Sequence, residues 1–259
     1  MTRSSANWIT KPGSFDPLNT ARRFPASSPF GIPDLEPQSF DVPEDIRLRP
    51  YRSRIDRLDH ARDICHFYLD DYRFETTWNS PGVGWRHVSA YWATCTPDFS
   101  LYPAWPRAMQ LWQTYRARWV ARFWQERGCR VIPTVNWSDA QSWAFCFDGI
   151  PPSQTLTISV ADLRRPHVER RFRAGLVAML ERLTPRLLLV YGRLRFDPGC
   201  PVREIAPDWE RLRALPTPAA TAPGPWLSPK KGKGRPVPSP LPAPAQTASS
   251  ARAARKSTH

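Results

Sequence analysis

The sequence predicts an α/β domain with a mostly parallel sheet flanked by helices, arranged as an open sheet or an incomplete barrel. Three observations carry this expectation. Residues 154–160 alternate strictly, with Leu156, Ile158 and Val160 on one side and Thr155, Thr157 and Ser159 on the other, the period of a β-strand. Residues 166–183 repeat their apolar positions (Val168, Phe172, Leu176, Met179, Leu180, Leu183) at helical spacing and turn Arg170, Arg171 and Arg173 outward. Leu187–Tyr191 is then an unbroken apolar run ending at Gly192, as in a strand buried on both faces. Strand, helix, strand with right-handed crossovers makes parallel neighbours.

The remaining elements follow in chain order. Residues 1–50 hold eight prolines, with Trp8, Phe15, Phe24, Phe30, Ile32 and Phe40 between them, and predict an extended arm packed on an α/β domain of residues 51–215. From Asp56 to Trp78 the apolar residues fall roughly at helical intervals until Asn79-Ser80-Pro81-Gly82 stops the pattern, and a strand is expected near Val88–Cys95. A helix runs from Pro106 to Arg127 with Gly128 as its stop. Its packing stripe comprises Met109, Trp112, Trp119, Val120 and Phe123. Arg116 shares that stripe, so it is either half of a buried ion pair or an anion-binding group, whereas Arg118 and Arg122 read as solvated charges. Cys129–Val135 resembles a buried strand. The polar side of residues 154–160 faces either water or a polar cavity, and the pattern leaves both open.

Charge is unevenly distributed. Of a net +14, seven charges lie in residues 216–259, which contain ten prolines and no acidic residue. Such a segment buries too little to offset its ordering entropy and reads as a disordered basic tail. Lys230, Lys231, Lys233 and Arg235 would draw it to polyanions, nucleic acid included, or would only keep the chain soluble. The five cysteines form no Cys-x-x-Cys pair, which suits reduced thiols and a cytoplasmic setting. No apolar run is long enough to predict a membrane span.

Five segments in one order resemble a known family: His-Phe-Tyr-Leu-Asp-Asp-Tyr-Arg-Phe-Glu (66–75), Thr-Pro-Asp-Phe-Ser-Leu-Tyr (96–102), Met-Gln-Leu-Trp-Gln-Thr-Tyr-Arg-Ala-Arg (109–118), Val-Ile-Pro-Thr-Val-Asn-Trp (131–137) and Phe-Asp-Gly-Ile-Pro (147–151). The family is the domain-of-unknown-function family numbered 4417, and the resemblance spans roughly residues 20–205. It implies a bacterial, phage or plasmid context and brings no assigned reaction. Residues 159–165 lack the glycine-containing turn that relatives tend to place after the alternating strand.

Candidate site residues come from strand ends, because parallel sheets gather ligands at their carboxyl edge. Asp98 and Ser100 follow one expected strand, Asn136, Trp137 and Asp139 another, Ser159 ends the alternating strand, and Tyr191 and Arg193 end the last. Converging Asp98, Asp139 and Asp148 would hold a divalent cation such as Mg²⁺ and activate water, as in a hydrolase or nuclease. Against this, Asp98 and Asp139 also suit helix caps, and Asp148-Gly149 suits a turn. His66 with Asp70 and Asp71 is the best local acid–base grouping, and His66 and Asp70, four apart on one helix face, suit a simple hydrogen bond more often than a catalytic dyad. Arginine-flanked tryptophans suit either single-strand stacking or a core. Three function classes result: a nucleic-acid-associated accessory protein of a mobile element, a metal-dependent hydrolase or nuclease, and a protein-binding scaffold.

Overall fold

Seven strands run parallel in the computed structural model, which describes residues 16–51, 60–160 and 166–207. The chain divides into two units, Met1–Leu215 and Pro216–His259, and the second lies outside the described residues, with its candidate tail cations. Strands β1 (Arg47–Pro50), β2 (Asp63–His66), β3 (Ala93–Cys95) and β4 (Val131–Ile132) pair in that order, and β5 (Thr155–Ser159), β6 (Leu187–Tyr191) and β7 (Val202–Ile205) form a second ladder. One parallel bridge, Thr134 to Thr157, joins the two.

The joined sheet must curl. Laid flat at about 4.8 Å per strand, β2 and β6 would stand about 19 Å apart. Yet the His66 ring at the end of β2 lies 4.7 Å from the Tyr191 ring at the end of β6, and Tyr68 stacks on Tyr191 at 5.0 Å. The Tyr68 hydroxyl also reaches Thr157 Oγ1 of β5 at 2.7 Å. The strands thus wrap a shared interior, an incomplete barrel in which β1 and β7 are unpaired with each other. This settles the two-sided strand: Leu156, Ile158 and Val160 pack with Leu176, Met179 and Leu183, while Thr155 and Thr157 are buried on the concave side.

The arm closes the opposite end. Gln38 accepts a hydrogen bond from the Val131 amide, donates to the Cys129 carbonyl and is joined through its own amide to Gln154. Phe40 packs edge-on against Trp92, its carbonyl accepting from Arg186, and the carbonyls of Val42 and Pro43 accept from Arg203 of β7. Residues 38–43 therefore cross the N-terminal ends of the strands before the chain enters β1. Pro50 is tolerated because β1 is an edge strand.

Helices α3 (Arg107–Gln125) and α4 (Pro166–Leu183) lie where the periodicity places them. Three expectations fail. The helix expected over 56–78 is not formed among the described residues: Asp63–His66 is β2, followed by a 3₁₀ turn at Asp71–Arg73 and helices α1 (Thr76–Asn79) and α2 (Pro81–Val88). A four-residue strand buried at every position has no alternation to betray it, and Pro81 begins a helix rather than stopping one. On α3, Met109 and Trp112 are exposed, so the buried stripe starts further along.

The third failure is Arg118, which is buried rather than solvated. Its Nε donates to the Asp148 carbonyl at 3.1 Å and its Nη2 to the Cys146 carbonyl at 2.9 Å. Burial lowers its pKa to about 10, so it stays charged at neutral pH and ties the 146–148 turn to α3. Arg122 is likewise covered, because the arm brings the Asp34 carbonyl and Glu36 onto that helix face. Replacing Arg118 with Leu leaves two buried carbonyls without donors, each worth roughly 1–3 kcal/mol. Urea denaturation of Arg118→Leu is expected to show a loss of about 2–4 kcal/mol, and a loss below about 1 kcal/mol contradicts this reading.

Candidate functional site

The carboxyl edge of the curled sheet opens into a cleft of about 290 Å³. Tyr68 follows β2, Asp98 follows β3, Asn136 and Trp137 follow β4, Ser159 ends β5, and Val168, Arg171 and Phe172 come from the first turns of α4. Four neighbouring strands and helix α4 therefore each supply part of the wall, as expected where parallel strands end.

Asp98 is the chemically distinctive group. Its Oδ1 accepts from Asn136 Nδ2 at 2.8 Å, and the same amide donates to the Phe99 carbonyl at 2.9 Å. Burial raises the Asp98 pKa to about 7, and the Asp71 carboxylate beside it adds to the rise. The Asn136 bond and the buried Arg118 charge pull the other way without cancelling it. The result is a carboxyl that changes protonation state near neutral pH.

Asp71 and Ser100 hold that arrangement in place. The Asp71 carboxylate accepts from the Ser100 amide, from Ser100 Oγ at 2.8 Å and from Gln113 Nε2 at 3.1 Å, anchoring the turn that carries Asp98 to α3. Ser100 thus serves the scaffold rather than the cleft wall. Beneath Tyr68, burial holds His66 at a pKa of about 3, so it is neutral at physiological pH. His66 ends a strand and shares no helix face with Asp70, so the acid–base pair expected from their spacing is not formed. Burial pushes the Cys95 thiol up, which removes it as a nucleophile at neutral pH.

The cleft wall is aromatic on the α4 side. Trp137 packs on Phe172 at 5.3 Å, and its indole lies against Gly175 of α4. Arg171 stands exposed at the rim.

Other expected site residues are used elsewhere. Asp139 caps the 3₁₀ turn Ala140–Ala144 by accepting from the amides of Gln141 and Ser142, and it pairs with Arg107 at 3.4 Å. Asp148 pairs with Arg182 and accepts from the Ser28 hydroxyl. Among the described residues no three His, Cys, Asp or Glu side chains are grouped as a metal site, so Asp98, Asp139 and Asp148 do not converge. Arg116 pairs with Glu75 and lies 3.9 Å over the Phe99 ring, the structural alternative of its two readings. Tyr191 backs the cleft through Tyr68 rather than lining it, and Arg193 is exposed outside it. Of the described tryptophans only Trp112 is exposed, at 37 %, which favours packing over a stacking platform for the rest.

Tyr68, Arg171 and Phe172 were not anticipated. The spacing of Val168, Arg171 and Phe172 at i, i+3 and i+4, just after a strand with one polar face, is the signal that could have found the last two. Gly175, one turn on, marks the close approach of Trp137.

A family model described as Domain of unknown function (DUF4417) matches residues 24–199. The chain belongs to this family. Its relatives include the "Gene 1 protein" of Mycobacterium phage D29, 45 % identical over 216 residues that cover 82 % of this chain and 80 % of that one. The "Gene 1 protein" of Mycobacterium phage L5 is 44 % identical over 216 residues, covering 82 % of this chain and 94 % of its own. No solved structure matches the chain. Among the described residues no helix is long and apolar enough to cross a membrane.

An alanine Cβ at Gly175 would lie 2.1 Å from Trp137 Nε1. In a helix interior Gly→Ala ordinarily gains about 1 kcal/mol, but here the indole would have to leave the cleft wall. Gly175→Ala is expected to lower Tm in a thermal melt, and a higher Tm contradicts the packing described.

Proposed function

We propose that this protein binds a nucleotide unit, free or within a nucleic-acid strand, in the Asp98 cleft, as an accessory protein of a mobile element acting in the cytoplasm. The observation that carries the reading is Asp98 itself, a carboxyl poised near neutral pH and paired with an amide at the head of an aromatic-walled cleft. Together Asp98 and Asn136 present donor and acceptor groups of the kind that read the edge of a heterocycle. Trp137, Phe172 and Tyr68 offer apolar surface to its faces, and Arg171 at the rim suits an anionic phosphate. The phage setting of the relatives and the net charge of +14 support the same partner class. In this reading Lys230, Lys231, Lys233 and Arg235 add sequence-independent attraction to the same polyanion.

The carboxyl is also placed to give or take a proton on the bound unit, since a general acid–base works best with a pKa near the working pH. Metal-dependent chemistry is the weaker reading, because Asp139 and Asp148 are committed to a cap and to an ion pair.

The test is the pH dependence of binding of the dinucleotide TpT, whose phosphodiester does not titrate near neutrality. A protonated Asp98 neither repels the phosphate nor lacks a donor, so affinity for the full chain is expected to fall about tenfold between about pH 6 and pH 8. Asp98→Asn mimics the protonated form and is expected to flatten that profile at the tighter level. Equal profiles for wild type and Asp98→Asn in isothermal titration, or affinity rising with pH, overturn the proposal.

A further inference from the structure

A second cavity, of about 330 Å³, lies at the opposite edge of the first ladder, between the end of α2 and the turn from α3 into β4. Tyr91, Trp92 and Ala93 at the start of β3 form one side, and Arg127 and Arg130 contribute two cations. Both guanidiniums are held on aromatic faces. Arg127 lies 3.4 Å over the Phe123 ring with Nη1 donating to the Phe123 carbonyl at 3.2 Å, and Arg130 lies 5.2 Å over Trp92 with Nη1 directed at the Trp92 carbonyl at 3.4 Å. Held this way, each spends one donor on the chain and keeps the others of its fork, with part of the ordering cost already met.

Among the described residues their charges have no acidic partner. Elsewhere around this helix Arg116 pairs with Glu75, Arg122 with Glu36 and Glu126, and Arg22 with Glu126, while the buried Arg118 is held by two carbonyls. Glu126, adjacent in sequence to Arg127, is thus committed to two other arginines. Among the described residues no carboxylate lies within 4 Å of the Arg127 or Arg130 guanidinium. Burial lowers the Arg127 pKa and the nearby Arg22 charge adds to the fall, with Cys129 acting against it.

We infer that this cavity is an oxyanion site that takes a phosphoryl group, clamped between Arg127 and Arg130. Two arginines lining one cavity, each with donors of its fork unspent, suit the several acceptor oxygens of a tetrahedral phosphoryl group better than a single carboxylate. The same chemistry is presented by free phosphates and by a nucleic-acid backbone. The site is separate from the Asp98 cleft, which lies at the carboxyl ends of the strands.

The test observes the two arginines directly, so that binding to other basic segments does not interfere. In the full chain labelled with ¹⁵N-arginine, the Nε–H resonances of Arg127 and Arg130 are assigned from Arg127→Lys and Arg130→Lys. Inorganic pyrophosphate, then a short oligothymidylate, is titrated at constant ionic strength against a sodium chloride control. Both resonances are expected to shift saturably with one common Kd. In Arg130→Gln, a change at an exposed position, the Kd read at Arg127 is expected to weaken roughly tenfold. Arg171→Gln is expected to leave both shifts unchanged, so the outcome is independent of the cleft. Tighter saturation by oligothymidylate than by pyrophosphate assigns the site to nucleic acid, and the reverse order assigns it to free phosphates. Shifts no larger than those in sodium chloride, or an Arg127 Kd indifferent to Arg130→Gln, overturn the inference.

Discussion

The functional edge of the fold depends on the junction at Pro133 and Thr134, where the two ladders meet. A strand inside a parallel sheet normally bonds to neighbours on both sides along its length. Here Arg130 and Ile132 turn their backbone groups to β3, while Pro133, which has no amide to offer, and Val135 turn theirs to β5, so among the described residues backbone bonding to β5 begins at the Pro133 carbonyl. The Pro133 carbonyl accepts from the Thr157 amide, and the Val135 amide donates to the Thr157 carbonyl. On the β3 side a side chain replaces the missing ladder: Thr96 Oγ1 accepts from the Thr134 amide at 2.9 Å, and Thr134 Oγ1 donates to the Thr96 carbonyl at 3.0 Å. The two threonines satisfy buried backbone groups where the regular β3–β4 ladder ends. This junction joins the two ladders of the curled sheet and carries Asn136 to within reach of Asp98.

Curling also explains why the interior is polar at one end and apolar at the other. The arm brings Phe40, Val42 and Ile46 to the N-terminal side, where they pack against buried strand residues. At the carboxyl side the concave face is lined by Thr134, Thr157, Tyr68 and Asp98: Tyr68 bonds to Thr157, Asp98 to Asn136, and Thr134 to the Thr96 carbonyl. Placing Asp98 there works against its ionised form. A carboxyl held near a pKa of 7 by burial and by a second carboxylate costs stability at neutral pH, where the unfolded chain would ionise it freely, so its position is better explained by what it meets in the cleft.

Much of this was legible in the sequence where one physical signal dominated. The strand at Thr155–Ser159 and the helix at Pro166–Leu183 follow from periods of two and 3.6, and α3 is bounded by Pro106 and by Gly128, whose φ of +82° suits glycine. Asp98, Asn136, Trp137 and Ser159 could be nominated because strand ends gather sites, and all four line the cleft. What stayed hidden depended on distant chain segments. The fate of Arg122 rests on Asp34 and Glu36 in the arm, and that of Arg118 on carbonyls some thirty residues away, which no local pattern encodes. The cap made by Asp139 was one of the two readings its sequence position offered, whereas the ion pair of Asp148 rests on the distant Arg182. Tyr68 escaped notice because its strand is too short and too buried to show a period.

The central claim is that the curled sheet holds Asp98 as a carboxyl that titrates near neutrality at the mouth of the cleft. The most direct measurement is the side-chain carboxyl ¹³C shift of Asp98 in the full chain as a function of pH, assigned by its loss in Asp98→Asn. The account requires a midpoint near 7. A midpoint at the ordinary aspartate value of about 4 would mean that the group is solvated and ionised, and would contradict both the geometry of the cleft and the function drawn from it.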